Sequence, residues 1–356
     1  MIGTLHILNF KKVKSLTLPK LNRVNLLVGD NNVGKSTILE ALSLYLSNGS
    51  ESQIWKLLSN RGEAISPLDE NIADYNREHY LSLFHNREEN YSKQFGISIG
   101  ESMISDQCLR ISQIYYSESR TSDNTPIIHL FSQEDVEEKH FNITGTGIRV
   151  SSKSKTFHIS YQSNTPSFRQ IAKLAPFEYV RSSDFTPTEN ASRYDAITLT
   201  DVEPYVAEAL RFIHPDIDRI SFVNDSPRWR IPMASFKDSK KRIRLSSMGD
   251  GINRMLTVIL ALLNCKGGVF MIDEFETGLY YTVQTKLWEI VFMLAEKLNI
   301  QVFATTHSSD CIRSFAKANN GQGTLIRMEE HEGELTTTSY SDSELIFATN
   351  NQIELR

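Results

Sequence analysis

Residues 26–42, LLVGDNNVGKSTILEAL, run from an apolar stretch through a glycine-bounded turn into a segment with helical spacing. Within them, Gly29-Asp30-Asn31-Asn32-Val33-Gly34-Lys35-Ser36 fits G-x-x-x-x-G-K-[ST] at every position, in the strand–turn–helix context that a phosphate loop requires. Phosphate binding needs bare backbone N–H groups pointing inward, so the two glycines remove side chains that would block approach. The helix N-terminus adds partial positive charge. Lys35 is predicted to reach the β- and γ-phosphates of ATP, Ser36 to ligate Mg²⁺, and Thr37 to bond a phosphate oxygen.

A second run, Gly268-Val269-Phe270-Met271-Ile272-Asp273-Glu274, reads as a buried strand ending in two carboxylates. At the C-terminal edge of a parallel sheet such a pair stands beside the phosphate loop. Asp273 is then the metal residue and Glu274 the group that orients the attacking water. Ser247 and Gly249, in LSSMGDG before the helical run NRMLTVILALLN, would offer a hydroxyl and a helix N-terminus to an anion. His307, after the apolar run VFATT, is predicted at the same edge as Asp273, where an imidazole could contact a γ-phosphate or the water.

Three zones organise the 356 residues. Residues 1–47 alternate as strands (LHILNF, SLTLP, VNLLVG) and close with a helix, the N-terminal part of an α/β core. Residues 48–170 form a polar helical stretch followed by short alternating runs (LRISQIYY, PIIHLF, HFNIT, GIRVSS, TFHISYQ), an antiparallel β-rich insertion. Residues 171–356 return to the core. A helix is expected over 201–213, strands in DRISFV, RWRIPM and KRIRL, and then alternating helices and strands that imply a parallel sheet.

The net charge of −5 argues against a wholesale nucleic-acid coat. Cys108, Cys265 and Cys311 lie far apart without CxxC spacing, so neither zinc nor a disulfide framework is indicated, and a reducing cytoplasm is the expected home. The N-terminus has basic residues after the apolar ones, the wrong order for a signal peptide. The apolar window 255–272 is broken by Lys266-Gly267-Gly268, as a buried helix and strand would be, and no membrane span is expected.

The order of these pieces resembles the ATPase heads of the ABC class, and within it the SMC, RecF and OLD-type heads grouped with bacterial AAA-type ATPases. The similarity lies in LHILNFKKVKSLTLPKLNRVNLLVGDNNVGKSTILEAL, SSMGDGINRML, MIDEFETGLYYTVQTKLW and FATTHSSDCI. It implies a P-loop NTPase fold and slow ATP hydrolysis. It also implies a homodimer in which Ser247 and Gly249 of one copy close over ATP held by the other. Gly278 and Leu279 match the segment that crosses such an interface, and Glu276 an acid often found there. Tyr280 departs from the pattern, standing where relatives often carry histidine, and no Q-loop glutamine is identifiable in the insertion.

The resemblance to OLD proteins comes without their Toprim nuclease domain, so the effector, a nuclease or toxin, is expected to be another polypeptide, as in bacterial anti-phage systems. The alternative is a RecF-like DNA-repair clamp. It draws on two basic clusters, Lys11-Lys12-Lys14 and Lys237–Arg244, that could contact phosphates.

Overall fold

The computed structural model describes residues 1–60, 62, 72–104, 108–139, 141–153, 155–163, 171–183, 187–226, 229–237, 239–351 and 355. The chain opens with a hairpin, β1 (Leu5–Phe10) and β2 (Val13–Leu18), then β3 (Val24–Gly29) and α1 (Lys35–Leu46). Helices α2 (Glu51–Asn60) and α3 (Ile72–Leu81) lead to β4 (Ile97–Gly100), β5 (Cys108–Arg120), β6 (Pro126–Phe131), α4 (Gln133–Glu138), β7 (Gly145–Ser151) and β8 (Thr156–Ser160). Next come β9 (Phe177–Val180), α5 (Pro187–Ile197), α6 (Pro204–Arg211), β10 (Ile217–Ser226), β11 (Trp229–Phe236), β12 (Ser239–Arg244) and α7 (Asp250–Leu263). The remainder is β13 (Val269–Ile272), α8 (Tyr281–Lys297), β14 (Gln301–Thr305), α9 (Ser309–Ala318), β15 (Gly323–His331), β16 (Glu334–Tyr340) and α10 (Asp342–Asn350).

Among the described residues the strands form three sheets. The central one has the order β16-β15-β3-β14-β13-β9, and from β15 to β9 its strands are parallel. Its side chains alternate between two cores, as the two-residue period of a strand requires. Phe270, Ile272, Val302 and Ala304 face the core built with α7, α8 and α9, where Trp288 stacks on Phe275 at 3.7 Å. Met271, Phe303 and Leu27 face the other core, shared with Ile38, Leu39 and Leu42 of α1. The second sheet, antiparallel in the order β2-β1-β4-β5-β7-β8 with β6 on β5, covers the far side of α1 through Ile97, Ile99, Ile111, Ile148 and Val150.

The strands expected between residues 48 and 170 therefore do not form a separate sheet. Through the β1–β4 pairing they extend the hairpin that opens the chain. Residues 141–144 of HFNIT are coil, and α4 instead precedes them, started by a capping box between Ser132 and Asp135. The helix expected over 201–213 narrows to Pro204–Arg211. Helix α5 and strands β15 and β16 were not anticipated. The polar face of α5 hides its pattern, and the strands carry charged and threonine-rich sequences because β16 lies at an exposed edge.

Pro176 and Gly268 meet where β9 and β13 begin: a Cβ on Gly268 would lie 1.9 Å from the Pro176 carbonyl oxygen, which already accepts from Val269 N at 2.9 Å. Gly268→Ala is expected to lower stability by about 1–3 kcal/mol. Urea unfolding should show a lower midpoint with an unchanged slope, while Gly3→Ala, where a Cβ meets nothing within 4 Å, leaves the midpoint in place.

Candidate active site

The parallel register places three loops at one sheet edge. Ile272 pairs with Ala304, and Ala304 with Leu26, so Asp273, Thr305 and the turn after Gly29 emerge side by side. In that turn Gly29 has φ +141°, and a Cβ there would lie 2.4 Å from the Met328 carbonyl oxygen of β15. Asn32 (φ +63°) and Gly34 (φ +104°) take left-handed backbone, which curls the loop around the start of α1. No side chain caps α1 and its first turn carries no acid, so its leading N–H groups are the donors that an anion satisfies.

Lys35 bends back over this loop and donates from Nζ to the carbonyls of Gly29 (2.7 Å) and Asp30 (2.8 Å). Burial lowers its pKa, opposed by Asp273, Glu276, Asp30 and Glu274. Ser36 Oγ donates to Asp273 Oδ1 at 3.0 Å. Burial raises the Asp273 pKa, offset in part by the hydroxyls of Thr305 and Ser36. A buried carboxylate and a serine hydroxyl at one hydrogen bond's distance, beside a phosphate-sized loop, are a donor set suited to Mg²⁺. Bound there, the ion would neutralise charge on the β- and γ-phosphates. Ser36 and Asp273 are the residues that would hold it.

Thr305, at the end of β14, joins the two carboxylate residues. Its Oγ1 donates to Asp273 Oδ1 at 2.5 Å and accepts from the backbone N–H of Glu274 at 2.9 Å. Glu274 itself has φ +49°, a conformation that costs a non-glycine residue energy and turns the chain sharply after β13. Its carboxylate accepts from Thr277 Oγ1 at 3.1 Å, and its carbonyl accepts from Arg254 of α7 at 3.0 Å. Arg254 is 5% exposed, and burial pulls its guanidinium down to about 9 against Glu276 and Glu274. Glu276, nearly buried, accepts from Thr306 Oγ1 (2.7 Å) and His307 N (3.0 Å), and lies 3.2 Å from His307 Nδ1.

Asn31, Asn32, Gly34, Lys35, Ser36, Thr37, Asp273, Glu274, Thr305 and His307 thus line one cleft of about 190 Å³, together with Lys11 and Lys12 from the β1–β2 turn. Gly29, Asp30 and Val33 form the rest of the turn beside it. Ser247 and Gly249 do not line this cleft; both are exposed where a short 3₁₀ turn, Leu245–Met248, leads into α7. Sequence reasoning missed Thr305 and Arg254. Thr305 is in the quoted FATTHSSD run but gives no signal until β14 is placed between β3 and β13. Arg254 looks like ordinary helix surface in sequence. The loop after β9 was also overlooked: Asp273 N donates to Val180 O at 2.9 Å, so Arg181 follows at the same edge, outside the 48–170 span where a γ-phosphate contact was sought.

Thr305→Val keeps the side-chain shape and removes the hydroxyl that ties Asp273 to Glu274. Its ATP turnover is expected to fall roughly 10- to 100-fold, in the range found when a group supporting a metal ligand is lost. Steady-state phosphate release beside a thermal melt checks this; an unaltered kcat would show that the bridge does not position the carboxylates.

Comparison with known proteins agrees with this geometry. The family described as AAA ATPase domain matches residues 1–312. An ATP/GTP phosphatase of Helicobacter pylori is 24% identical over 332 residues, covering 88% of this chain and 86% of that protein. An uncharacterized protein of Methanocaldococcus jannaschii is 51% identical over 47 residues, 13% of this chain and 22% of the other. The crystal structure of an SMC head bound to the C-winged helix domain of ScpA aligns with a TM-score of 0.51 at 13% identity, covering 96% of this chain and 97% of that one. A Pyrococcus furiosus SMC head with an extended coiled coil, bound to the C-terminal domain of ScpA, aligns with a TM-score of 0.50 at 11% identity over 99% of each chain. The fold is the P-loop NTPase fold of SMC heads, and no helix among the described residues is long and apolar enough to cross a membrane. The chain belongs to the AAA ATPase domain family and is an ATPase of the SMC/RecF-like kind.

Proposed function

We propose that this ATPase is a nucleotide-driven switch in which two copies close over two ATP molecules and thereby control a separately encoded effector, a nuclease or toxin, in bacterial anti-phage defence. The observation that carries the dimer is the separation of the site's parts. Lys35, Ser36, Asp273 and Glu274 share a cleft, whereas Ser247 and Gly249 stand exposed outside it at the start of a helix that no side chain caps. Facing a second copy, those donors gain a γ-phosphate to bond. Tyr280 and Tyr281, 67% and 52% exposed and 4.5 Å apart, add an aromatic pair just beyond Gly278 and Leu279, the kind of surface that a protein contact covers.

In this reading Lys35 and the N-terminus of α1 hold the phosphates, Ser36 and Asp273 bind Mg²⁺, Glu274 accepts the proton of the attacking water, and His307 contacts the γ-phosphate. Glu276 orients His307 through Nδ1. Control of another protein is supported by the two SMC heads of similar fold, each bound to a domain of ScpA. The role in defence rests on the resemblance to OLD-type systems. The RecF-like clamp loses its first basic cluster: Lys11 pairs with Glu40 at 2.9 Å, both nearly buried, and Lys12 with Glu330 at 2.7 Å. In the second cluster Asp238 and the side chains of Ser239, Lys240 and Lys241 lie outside the described residues.

Glu274→Gln removes the water-orienting carboxylate and leaves Asp273 and Ser36, so ATP with Mg²⁺ is expected to trap a dimer. Sedimentation velocity at micromolar protein checks it, and a monomer at saturating ATP would defeat the proposal. Lys35→Ala and Ser247→Arg, each inactive alone, should regain part of their hydrolysis when mixed, because one intact composite site then forms. Lys35→Ala should also abolish control of the effector.

A further inference from the structure

We propose a second binding site, for the phosphate backbone of a nucleic acid, on the outer face of the antiparallel sheet. The groove there has a volume of about 690 Å³ and is lined by Lys93, Arg110, Arg149 and Lys153 together with serine and threonine hydroxyls. No carboxylate lines it among the described residues, although the chain as a whole carries 43 acids against 38 bases. The cations come from separate strands and turns: Arg110 on β5, Arg149 on β7, Lys93 before β4 and Lys153 in the β7–β8 turn.

Register brings them together. Arg110 stands opposite Ser98 on one side and Ser151 on the other, and Ser112 stands opposite Arg149. The two arginines are therefore diagonal neighbours on one face of adjacent strands, within reach of consecutive phosphates. The intervening residues Ile97, Ile111, Ile148 and Val150 point to the opposite face and are fully buried against α1. Arg149 Nε donates to Ser151 Oγ at 3.2 Å, which holds the guanidinium along the groove, and Lys93 at its end is bonded to Asp135 at 2.7 Å.

The lining chemistry favours nucleic acid over an acidic protein segment. Arginine, lysine, serine and threonine are the side chains that contact phosphates, whereas a protein partner needs an apolar centre in its interface. Phe95 is the single aromatic residue lining the groove among the described residues. The site differs from the two basic clusters of the clamp reading, and it stands whether or not ATP closes a dimer.

The test is fluorescence anisotropy of the full chain without nucleotide, using a labelled 30-base single strand and its duplex, titrated with salt and competed with poly-glutamate. Arg110→Glu/Arg149→Glu is expected to weaken binding roughly tenfold or more and to reduce the slope of log affinity against log salt by about 2. The milder Arg110→Gln/Arg149→Gln pair, checked by its melting curve, shows the same direction if the charge reversal misfolds. Arg313→Glu/Lys317→Glu, a charge change of equal size on α9, should leave affinity and slope unaltered. Preference for strand or duplex identifies the source of the backbone. Binding unchanged in both groove variants, absence of binding at low salt, or poly-glutamate competing as well as unlabelled DNA would each overturn the proposal.

Discussion

Strand β14 is hydrogen-bonded between β3 and β13, and this parallel register is the constraint on which the catalytic chemistry depends. Leu26, Ala304 and Ile272 lie in one row, so the phosphate loop, Thr305 and Asp273 leave the sheet within a few residues of each other. A slip of one residue would turn Phe303 into the wrong core and carry Thr305 away from Asp273. The two cores prevent it, because each residue of β13 and β14 has a buried place on one side or the other.

The same packing ties the outer sheet to the phosphate loop. Helix α1, which begins at Lys35, is enclosed between the parallel sheet and the antiparallel one, and Glu40 on it is paired with Lys11 of the first hairpin. A nearly buried ion pair gives little net stability but makes loss of either partner costly, so it specifies where the hairpin sits. Through this contact the β1–β2 turn and the antiparallel sheet share one rigid element with the phosphate loop. A ligand on the outer sheet would thus press on the helix that cradles the nucleotide.

Strain and unsatisfied donors gather at the sheet edge. Glu274 holds a positive φ, Gly29 and Gly34 hold conformations that other residues avoid, and neither α1 nor α7 has a side-chain cap. Such features persist only where the surroundings enforce them. Here Thr305, Thr277 and Arg254 together enforce the turn at Glu274.

Much of this was legible in the sequence because it is local. The phosphate loop is a contiguous run whose glycines, lysine and serine act through neighbouring backbone, and the strand ending in Asp273 and Glu274 carries its own apolar pattern. The helix predicted from Lys35 to Leu46 has those bounds in the structure. What the sequence alone could not decide depends on strand order and register, which pair residues hundreds of positions apart. The bridge from Thr305 to Asp273, the support from Arg254, the union of the first hairpin with β4–β8 and the arginine pair on β5 and β7 all arise that way. Local pattern determines which face of an element is apolar; only packing decides which neighbour that face meets, and therefore which polar groups come together at its end.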